Sequence, residues 1–258
     1  MNIPKLVMFD LDGTLAESKQ PITAPMAALL ARLLEKTRVA VISGGALPQF
    51  LSQVVDQLLR QDVRRDAPKE ANLSNLYLLP TSGAALYEYL DGNWKKIYEE
   101  LLSDTEAITI EAVLRAAGTE TGHINFSEPS YGERIEHRGA QVTLSALGQQ
   151  APIDEKMAWD PDRTKRAALH AHISKHLPTF SVKIGGKTSI DVTKQNIDKA
   201  YGIHKLCERI GVSESDTLYV GDELRSGGND EAAYKTAVET HPVTNPEDTM
   251  RLIREMVS

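Results

Sequence analysis

Cysteine is nearly absent from this sequence: Cys207 stands alone among 258 residues, so no internal disulfide can form. That usage predicts a reducing, cytoplasmic setting. Long apolar runs are missing too. None approaches the roughly 18 residues that a membrane helix needs, and the opening residues lack the basic start and apolar stretch of a secretory leader, so no membrane partner is expected. Positive charge is not in excess, because 29 Lys and Arg face 36 Asp and Glu for a net charge of −7. A partner held through nucleic-acid phosphates is therefore not expected, although a small phosphate can bind wherever the site itself is locally positive. Repeats, low-complexity tracts and disordered linkers are also lacking. What remains is an ordinary globular composition, 41% hydrophobic and 25% charged, at a length that suits one large domain or two small ones.

Near the amino terminus, Lys5, Leu6, Val7, Met8 and Phe9 form a short apolar run that reads as a buried strand, and the run stops at Asp10, Asp12 and Gly13. A core strand thus delivers two carboxylates to its carboxyl end, where open parallel sheets place their ligand sites. In extended backbone, residues two apart point to the same side, so Asp10 and Asp12 approach one another. Their repulsion invites a hard cation such as Mg²⁺, which prefers oxygen ligands. Taken alone, the same residues also describe a strand followed by an acidic Asp-Gly turn.

The chain then alternates. Thr23 reads as a helix cap, with Met26, Leu29, Leu30, Leu33 and Leu34 as an apolar stripe up to about Lys36. Arg38 to Ile42 reads as a second buried strand that ends at Ser43-Gly44-Gly45, and Leu47, Phe50, Leu51, Val54, Val55, Leu58 and Leu59 line a second helix. Strand, helix, strand is the pattern of a parallel α/β unit. Arg64, Arg65, Asp66 and Lys69 lie in a charged stretch that reads as a wet face. Tyr77 to Leu79 is a third strand, after which Asp91-Gly92-Asn93 marks a hairpin that opens a second, smaller α+β domain. Inside it, the pattern predicts a helix over 105–117, a strand over 134–147, a helix starting at Asp160 and Pro161, and a strand at Phe180, Val182 and Ile184. His172 and His176 lie one helical turn apart, but no third ligand completes a zinc set, which favours a structural role.

The return to the first domain runs through Ser189-Ile190-Asp191-Val192, and Asn196 is suited to cap a helix with Lys199 in its first turn. Thr217 to Val220 is a further buried strand, ending in Gly221-Asp222-Glu223 and followed by Gly227-Gly228-Asn229-Asp230. Glycines there let backbone approach an ion or phosphate, and the carboxylates can complete Mg²⁺ coordination.

Phe9-Asp10-Leu11-Asp12-Gly13-Thr14-Leu15, the Ser43 strand end, Lys199 and the Gly221-Asp222 to Asn229-Asp230 segment resemble, in order, the four motifs of the haloacid dehalogenase superfamily of phosphoryl-transfer enzymes. The resemblance implies an α/β fold, a Rossmann-like doubly wound parallel core (1–84 and 187–258) with an inserted α+β cap (85–186) that sets substrate specificity. It implies that Asp10 attacks phosphorus and that Asp12 is general acid and base. Ser43 and the Gly44 amide would hold phosphate oxygens, and Lys199 would neutralise charge, with Lys194 as the competing lysine. Asp222 would bind Mg²⁺ together with Asp10 and Asp12. Asp230 would be a supporting or direct ligand, and Asn229 a substrate or loop-fixing residue.

Within the superfamily, Glu133-Arg134-Ile135-Glu136, Ser189-Ile190-Asp191-Val192, Gly227-Gly228-Asn229-Asp230 and the ending Pro246-Glu247-Asp248-Thr249 are similar to eukaryotic-type phosphomannomutases. That likeness implies a substrate phosphate on Arg134 and sugar hydroxyls on Ser189 and Asp191. Read from the residues alone, Arg134 is equally a strand-end salt-bridge partner of Glu133 or Glu136. One departure stands out: the mutases carry a further cap arginine just after an Asn-x-Ser segment, whereas here Asn125-Phe126-Ser127 precedes Glu128, Pro129 and Ser130, and Arg138 stands elsewhere. A mutase must retain a bisphosphorylated intermediate, so missing cap charge weakens mutase chemistry more than hydrolysis. The expectation is a Mg²⁺-dependent phosphatase for a sugar phosphate or similar small phosphomonoester, acting as monomer or homodimer. The alternatives are a phosphomannomutase and a catalytically idle sugar-phosphate-binding protein.

Overall fold

A computed structural model describes residues 3–60 and 71–258 of the chain. The charged stretch with Arg64, Arg65, Asp66 and Lys69 lies outside the described residues. The chain divides into two compact units, one made of Met1–Glu99 with Lys199–Ser258 and the other of Glu100–Asp198.

The first unit opens with strand β1 (Leu6–Asp10), buried throughout. Helix α1 (Ala24–Lys36) follows, and the Thr23 hydroxyl accepts the Met26 N–H, as the sequence predicts of a cap. Strand β2 (Arg38–Ile42) leads to α2 (Leu47–Phe50) and α3 (Asp56–Leu59), which enclose a π-helical stretch Leu51–Val55. Beyond β3 (Leu76–Leu79), strands β4 (Ala85–Leu90) and β5 (Asn93–Glu99) form the expected hairpin. Asp91 and Gly92 both take positive φ, 52° and 79°, the requirement of a two-residue turn matched to strand twist.

The second unit contains α4 (Asp104–Glu120), β6 (Ile135–His137), β7 (Gln141–Ser145), α5 (Ile153–Trp159), α6 (Thr164–His176), β8 (Phe180–Ile184) and β9 (Ser189–Lys194). A capping box at Ser103 and Glu106 starts α4. The single strand expected over 134–147 is instead a hairpin, because Gly139 at φ 74° turns the chain between β6 and β7. The sheet order is β6-β7-β9-β8, all antiparallel. One face carries Val142, Leu144, Ile190 and Val192, which pack with Ile110 and Leu114 of α4 and Leu169 and Ile173 of α6. His172 and His176 stack on the surface of α6, at 4.4 Å between ring centres.

The first unit resumes with α7 (Lys199–Ile210), β10 (Thr217–Gly221), β11 (Glu239–Pro242) and α8 (Pro246–Val257). Its sheet has the order β11-β10-β1-β2-β3-β4-β5, parallel from β11 to β3 and antiparallel beyond. Alternate residues feed two cores: Val7, Phe9, Val39 and Val41 pack on the α1 and α8 side, Leu6, Met8, Ala40 and Ile42 on the α7 side. Both faces are therefore covered, as a doubly wound sheet requires.

Two boundaries differ from expectation. The β4–β5 hairpin pairs with β3 (Tyr77↔Glu88, Leu78↔Tyr87) and so extends the large sheet, while β9 belongs to the small one. The borders expected after residues 84 and 186 accordingly fall after 99 and 198. Hairpin and alternation signals are local, and they do not say which sheet edge a strand will join. Asn196 also departs from its expected capping role. It sits in an exposed left-handed turn at φ 65°, and α7 begins at Lys199 itself.

Phe50 is fully buried where α2 passes into the π-helical stretch, among Val54, Leu58 and the α1 stripe. Phe50→Ala is expected to cost about 3–5 kcal/mol of stability, read as a lowered urea midpoint at unchanged m-value.

Candidate active site

The chain runs from β1 to β2 to β3 on one side of the large sheet and from β10 to β11 on the other. The order reverses between β1 and β10, and the carboxyl ends of these strands are where such sheets open a crevice. Asp10 ends β1 and Asp222 directly follows β10. Oxygens of Asp10, Asp222 and Asp230 all lie within 4.8 Å of one another.

Lys199 reaches into this group from the first residue of α7. Its Nζ donates to Asp10 Oδ1 at 2.5 Å and to Asp230 Oδ1 at 2.6 Å. Lys199 and Asp10 are 2% and 1% exposed, and Asp230 not at all. Lys194, the competing lysine, ends β9 in the second unit. Asp230 is occupied on both oxygens, since Oδ1 also accepts the Tyr219 hydroxyl and Oδ2 accepts the Glu223 N–H at 3.0 Å. Asp10 is different: its Oδ2 is buried with no hydrogen-bond partner among the described residues.

Burial pushes the Asp10 carboxyl well above the ordinary carboxylate range, with Lys199 pulling it down and Asp230 and Asp222 pushing it further up. Burial opposes the charge on Lys199 as well, but Asp10 and Asp230 outweigh it and hold the ammonium protonated well above its ordinary range. Burial, then Asp230, raises the Tyr219 phenol far enough to keep its proton on the hydrogen bond. Three carboxylates against one ammonium leave negative charge in excess, an arrangement that a hard divalent cation with oxygen ligands would relieve. Gly13 fits the same requirement. A Cβ there would lie 2.4 Å from Asp222 Oδ2, so only glycine lets the loop after Asp12 come this close.

The remaining predicted residues of the first unit surround these. Asp12 is half-buried and accepts the Lys19 N–H on Oδ1 at 2.6 Å. Ser43 is buried at the end of β2, followed by Gly44, and its carbonyl accepts the Ser82 N–H at 2.8 Å. Asn229 is half-buried, with a buried Oδ1 that has no hydrogen-bond partner among the described residues. Tyr219 and the Glu223 amide were not legible in the sequence, although a tyrosine inside a buried strand signals a hydroxyl that needs a partner.

In the second unit, the face of the small sheet opposite its apolar core carries polar cross-strand pairs: Gln141 with Thr193, Thr143 with Asp191, and Ser145 with Ser189. Thr143 donates to Asp191 Oδ1 at 2.7 Å and Gln141 to Thr143 at 2.8 Å, and the Ser145 and Ser189 hydroxyls share a bond at 3.2 Å. Arg134, which the resemblance places at a substrate phosphate, is held by backbone here. Four of its five N–H donors are committed to carbonyl oxygens of Ala146, Asn125, Glu128 and Pro129, which makes it a clamp on loop 125–129. Neither the phosphate reading nor the Glu133 or Glu136 salt bridge anticipated this, because backbone carbonyls leave no sequence signature. Arg138 is the more enclosed cation, with its side chain only 7% exposed, bonded to Glu136 and Gln149.

A family model of eukaryotic phosphomannomutases matches residues 124–258, more than half of the chain. The chain belongs to the eukaryotic phosphomannomutase family. The phosphomannomutase of Saccharomyces cerevisiae is 26% identical over 262 residues, covering 97% of this chain and 93% of its own length. Human phosphomannomutase 1 is 24% identical, covering 97% and 91%. Among solved structures, a haloacid dehalogenase-like hydrolase from Bacteroides thetaiotaomicron shares the fold, with a TM-score of 0.63 at 18% identity over 98% of this chain and 99% of its own. IMP-bound IMP-nucleotidase of Plasmodium falciparum does so at a TM-score of 0.70 and 14% identity, over 98% and 68%. This member of the phosphomannomutase family is a phosphoryl-transfer enzyme of the haloacid dehalogenase superfamily.

The raised Asp10 carboxyl carries a stability signature. A carboxyl whose folded pKa lies above its unfolded value supports the folded state while protonated and loses that support as pH rises through the raised value. In excess chelator, Asp10→Asn should therefore melt at a higher temperature than the native chain at about pH 8, with the difference shrinking toward about pH 4, the ordinary aspartate value. Differential scanning calorimetry across that range checks it. A variant less stable at every pH would mean that the Lys199 contact outweighs the burial cost.

Proposed function

We propose that the chain hydrolyses a sugar phosphate or similar small phosphomonoester through an aspartyl-phosphate at Asp10, with Mg²⁺ as cofactor. One observation carries the reading: Asp10 has one oxygen pinned by Lys199 at 2.5 Å and the other buried without a hydrogen-bond partner among the described residues. A carboxylate held this way is oriented and little solvated, as a nucleophile should be. Asp10, Asp12 and Asp222 would hold the metal, which when bound supplies positive charge to the transferring group. Asp230 acts by holding Lys199 and the 223–230 loop.

In the first step an Asp10 oxygen bonds to phosphorus while the bond to the leaving oxygen breaks. Asp12 donates its proton to that departing alkoxide. Lys199 and the Ser43 hydroxyl, with the Gly44 amide, balance charge on the phosphoryl oxygens. In the second step Asp12 takes a proton from water, whose oxygen attacks phosphorus and frees Asp10 and inorganic phosphate. The inserted unit sets specificity, with Ser189 and Asp191 as its recognition groups, and Asn229 supports the substrate from the core loop.

The mutase reading is favoured by the whole-chain match to phosphomannomutases at about a quarter identity. Hydrolysis is preferred because Arg134 is already engaged with backbone, which leaves the second unit short of cation for retaining a bisphosphate.

Incubation with mannose or glucose phosphates and Mg²⁺, with and without a hexose bisphosphate, separates the two when free phosphate and isomerised sugar are both followed. Free phosphate alone is expected, together with a loss of about 10³-fold in Asp10→Ala. Isomer without phosphate release establishes the mutase, and neither product across a phosphomonoester panel leaves a binding protein. Arg134→Met should lower the melting temperature of the second unit by several degrees, about 1–3 kcal/mol, because it frees four backbone carbonyls.

A further inference from the structure

Three consecutive residues after β3 adopt left-handed backbone: Thr81 at φ 52°, Ser82 at 58° and Gly83 at 89°. Threonine and serine do not choose that region, and such strain persists where surroundings impose it, commonly beside functional sites. Here the surroundings are specific. The Thr81 N–H donates to the Gly45 carbonyl at 2.9 Å and the Ser82 N–H to the Ser43 carbonyl at 2.8 Å, so the turn is stitched to the loop that carries Ser43. The Tyr98 hydroxyl holds the Gly83 carbonyl at 2.8 Å.

The same turn rests on the first turn of α7. A Cβ on Gly83 would lie 2.7 Å from Gly202 Cα, and a Cβ on Gly202 would lie 2.9 Å from Gly83 Cα and 2.9 Å from Ile42 Cδ1. Two backbones therefore touch with no side chain between them. Gly202 follows Lys199 by three residues, on the same side of the helix, and both are buried. Its φ is not positive, so helix geometry does not demand glycine. Alanine is the better helix former at such a position, and space alone accounts for the choice.

We propose that the Gly83–Gly202 contact is a positioning stop for the lysine. It sets how deeply the first turn of α7 seats, and thereby lets Nζ reach Asp10 at 2.5 Å and Asp230 at 2.6 Å together. Through one strained turn it also keys that lysine to the Ser43 loop, so the two groups that balance phosphoryl charge share a single backbone reference. The inference rests on the reading of Asp10 as nucleophile and Lys199 as its cation. A methyl group at 202 needs backbone to withdraw toward the 3.4 Å at which ordinary contact begins. The turn is pinned by its hydrogen bonds, so the helix must give way. Hydrogen bonds weaken steeply with length, and a lifted lysine cannot keep both partners.

Beryllofluoride, formed from beryllium and fluoride with Mg²⁺, mimics a phosphoryl group on a carboxylate, and ¹⁹F NMR reads its binding without turnover. The native chain is expected to give a saturable bound signal that Asp10→Asn abolishes. No signal from the native chain would sink the nucleophile reading, and the stop with it. Given that signal, Gly202→Ala is expected to weaken beryllofluoride affinity about tenfold while the chain stays folded, with a melting temperature lowered by a few degrees because the buried backbone contact must open. A loss under about threefold would overturn the stop while leaving the nucleophile reading intact. Ile42→Val added to Gly202→Ala relieves only the side-chain contact, so affinity should stay low; recovery would show side-chain crowding and overturn the backbone stop. Should Gly202→Ala fail to fold by circular dichroism, Tyr98→Phe frees the Gly83 carbonyl with packing retained. About threefold weaker binding is then expected, and native affinity overturns the proposal.

Discussion

A single ammonium group, enclosed between the carboxylates of Asp10 and Asp230, is the constraint that orders the rest of this protein. Carboxylates this deeply buried are unfavourable without a cation, and an isolated buried lysine would shed its proton. Each makes the other tenable. The partners are 189 and 31 residues apart in sequence, so only a completed sheet, with β1 beside β10 and α7 laid across them, brings them together. The arrangement contributes little net stability, because desolvation takes back most of what the attraction supplies. Its value is positional: two carboxylates and a loop amide hold one point in space.

Much of the first unit was legible because its signals are local. Alternating strand and helix, the Thr23 cap, the Asp-x-Asp-Gly turn and the Asp91-Gly92 hairpin each require only neighbouring residues. Lys199 was legible over Lys194 only through its spacing to a known motif, since nothing near it in sequence says what it will face. What was not legible shares one cause. The bonds of Arg134 run to carbonyls of a loop whose path the sequence does not encode locally. The hairpin Ala85–Glu99 was read correctly as strands but as the opening of the second domain, because the choice of a sheet edge is made in three dimensions. Gly83 and Gly202 were silent for the same reason: their meaning is a contact between two backbones.

The two units use polarity in opposite ways. In the first, Asp10, Asp230 and Lys199 are buried and convergent, and hydrocarbon fills both faces of the sheet. In the second, one sheet face is hydrocarbon and the other is a run of hydroxyls, amides and one carboxylate, already bonded to one another across β7 and β9. Neutral groups of that kind discriminate by geometry, since a ligand hydroxyl must replace a bond that exists, and mismatched ligands leave a buried partner unsatisfied. The buried charges and the polar sheet face thus lie in separate units of the chain.

The large sheet ends in β5, whose outer side has no neighbouring strand among the described residues. Lys95 and Lys96 stand there in succession, bonded to Asp91 and Glu99 of their own hairpin. Docking of another extended segment along that margin would strip water from adjacent ammonium groups and crowd them against whatever arrives, a penalty that grows with every further copy added.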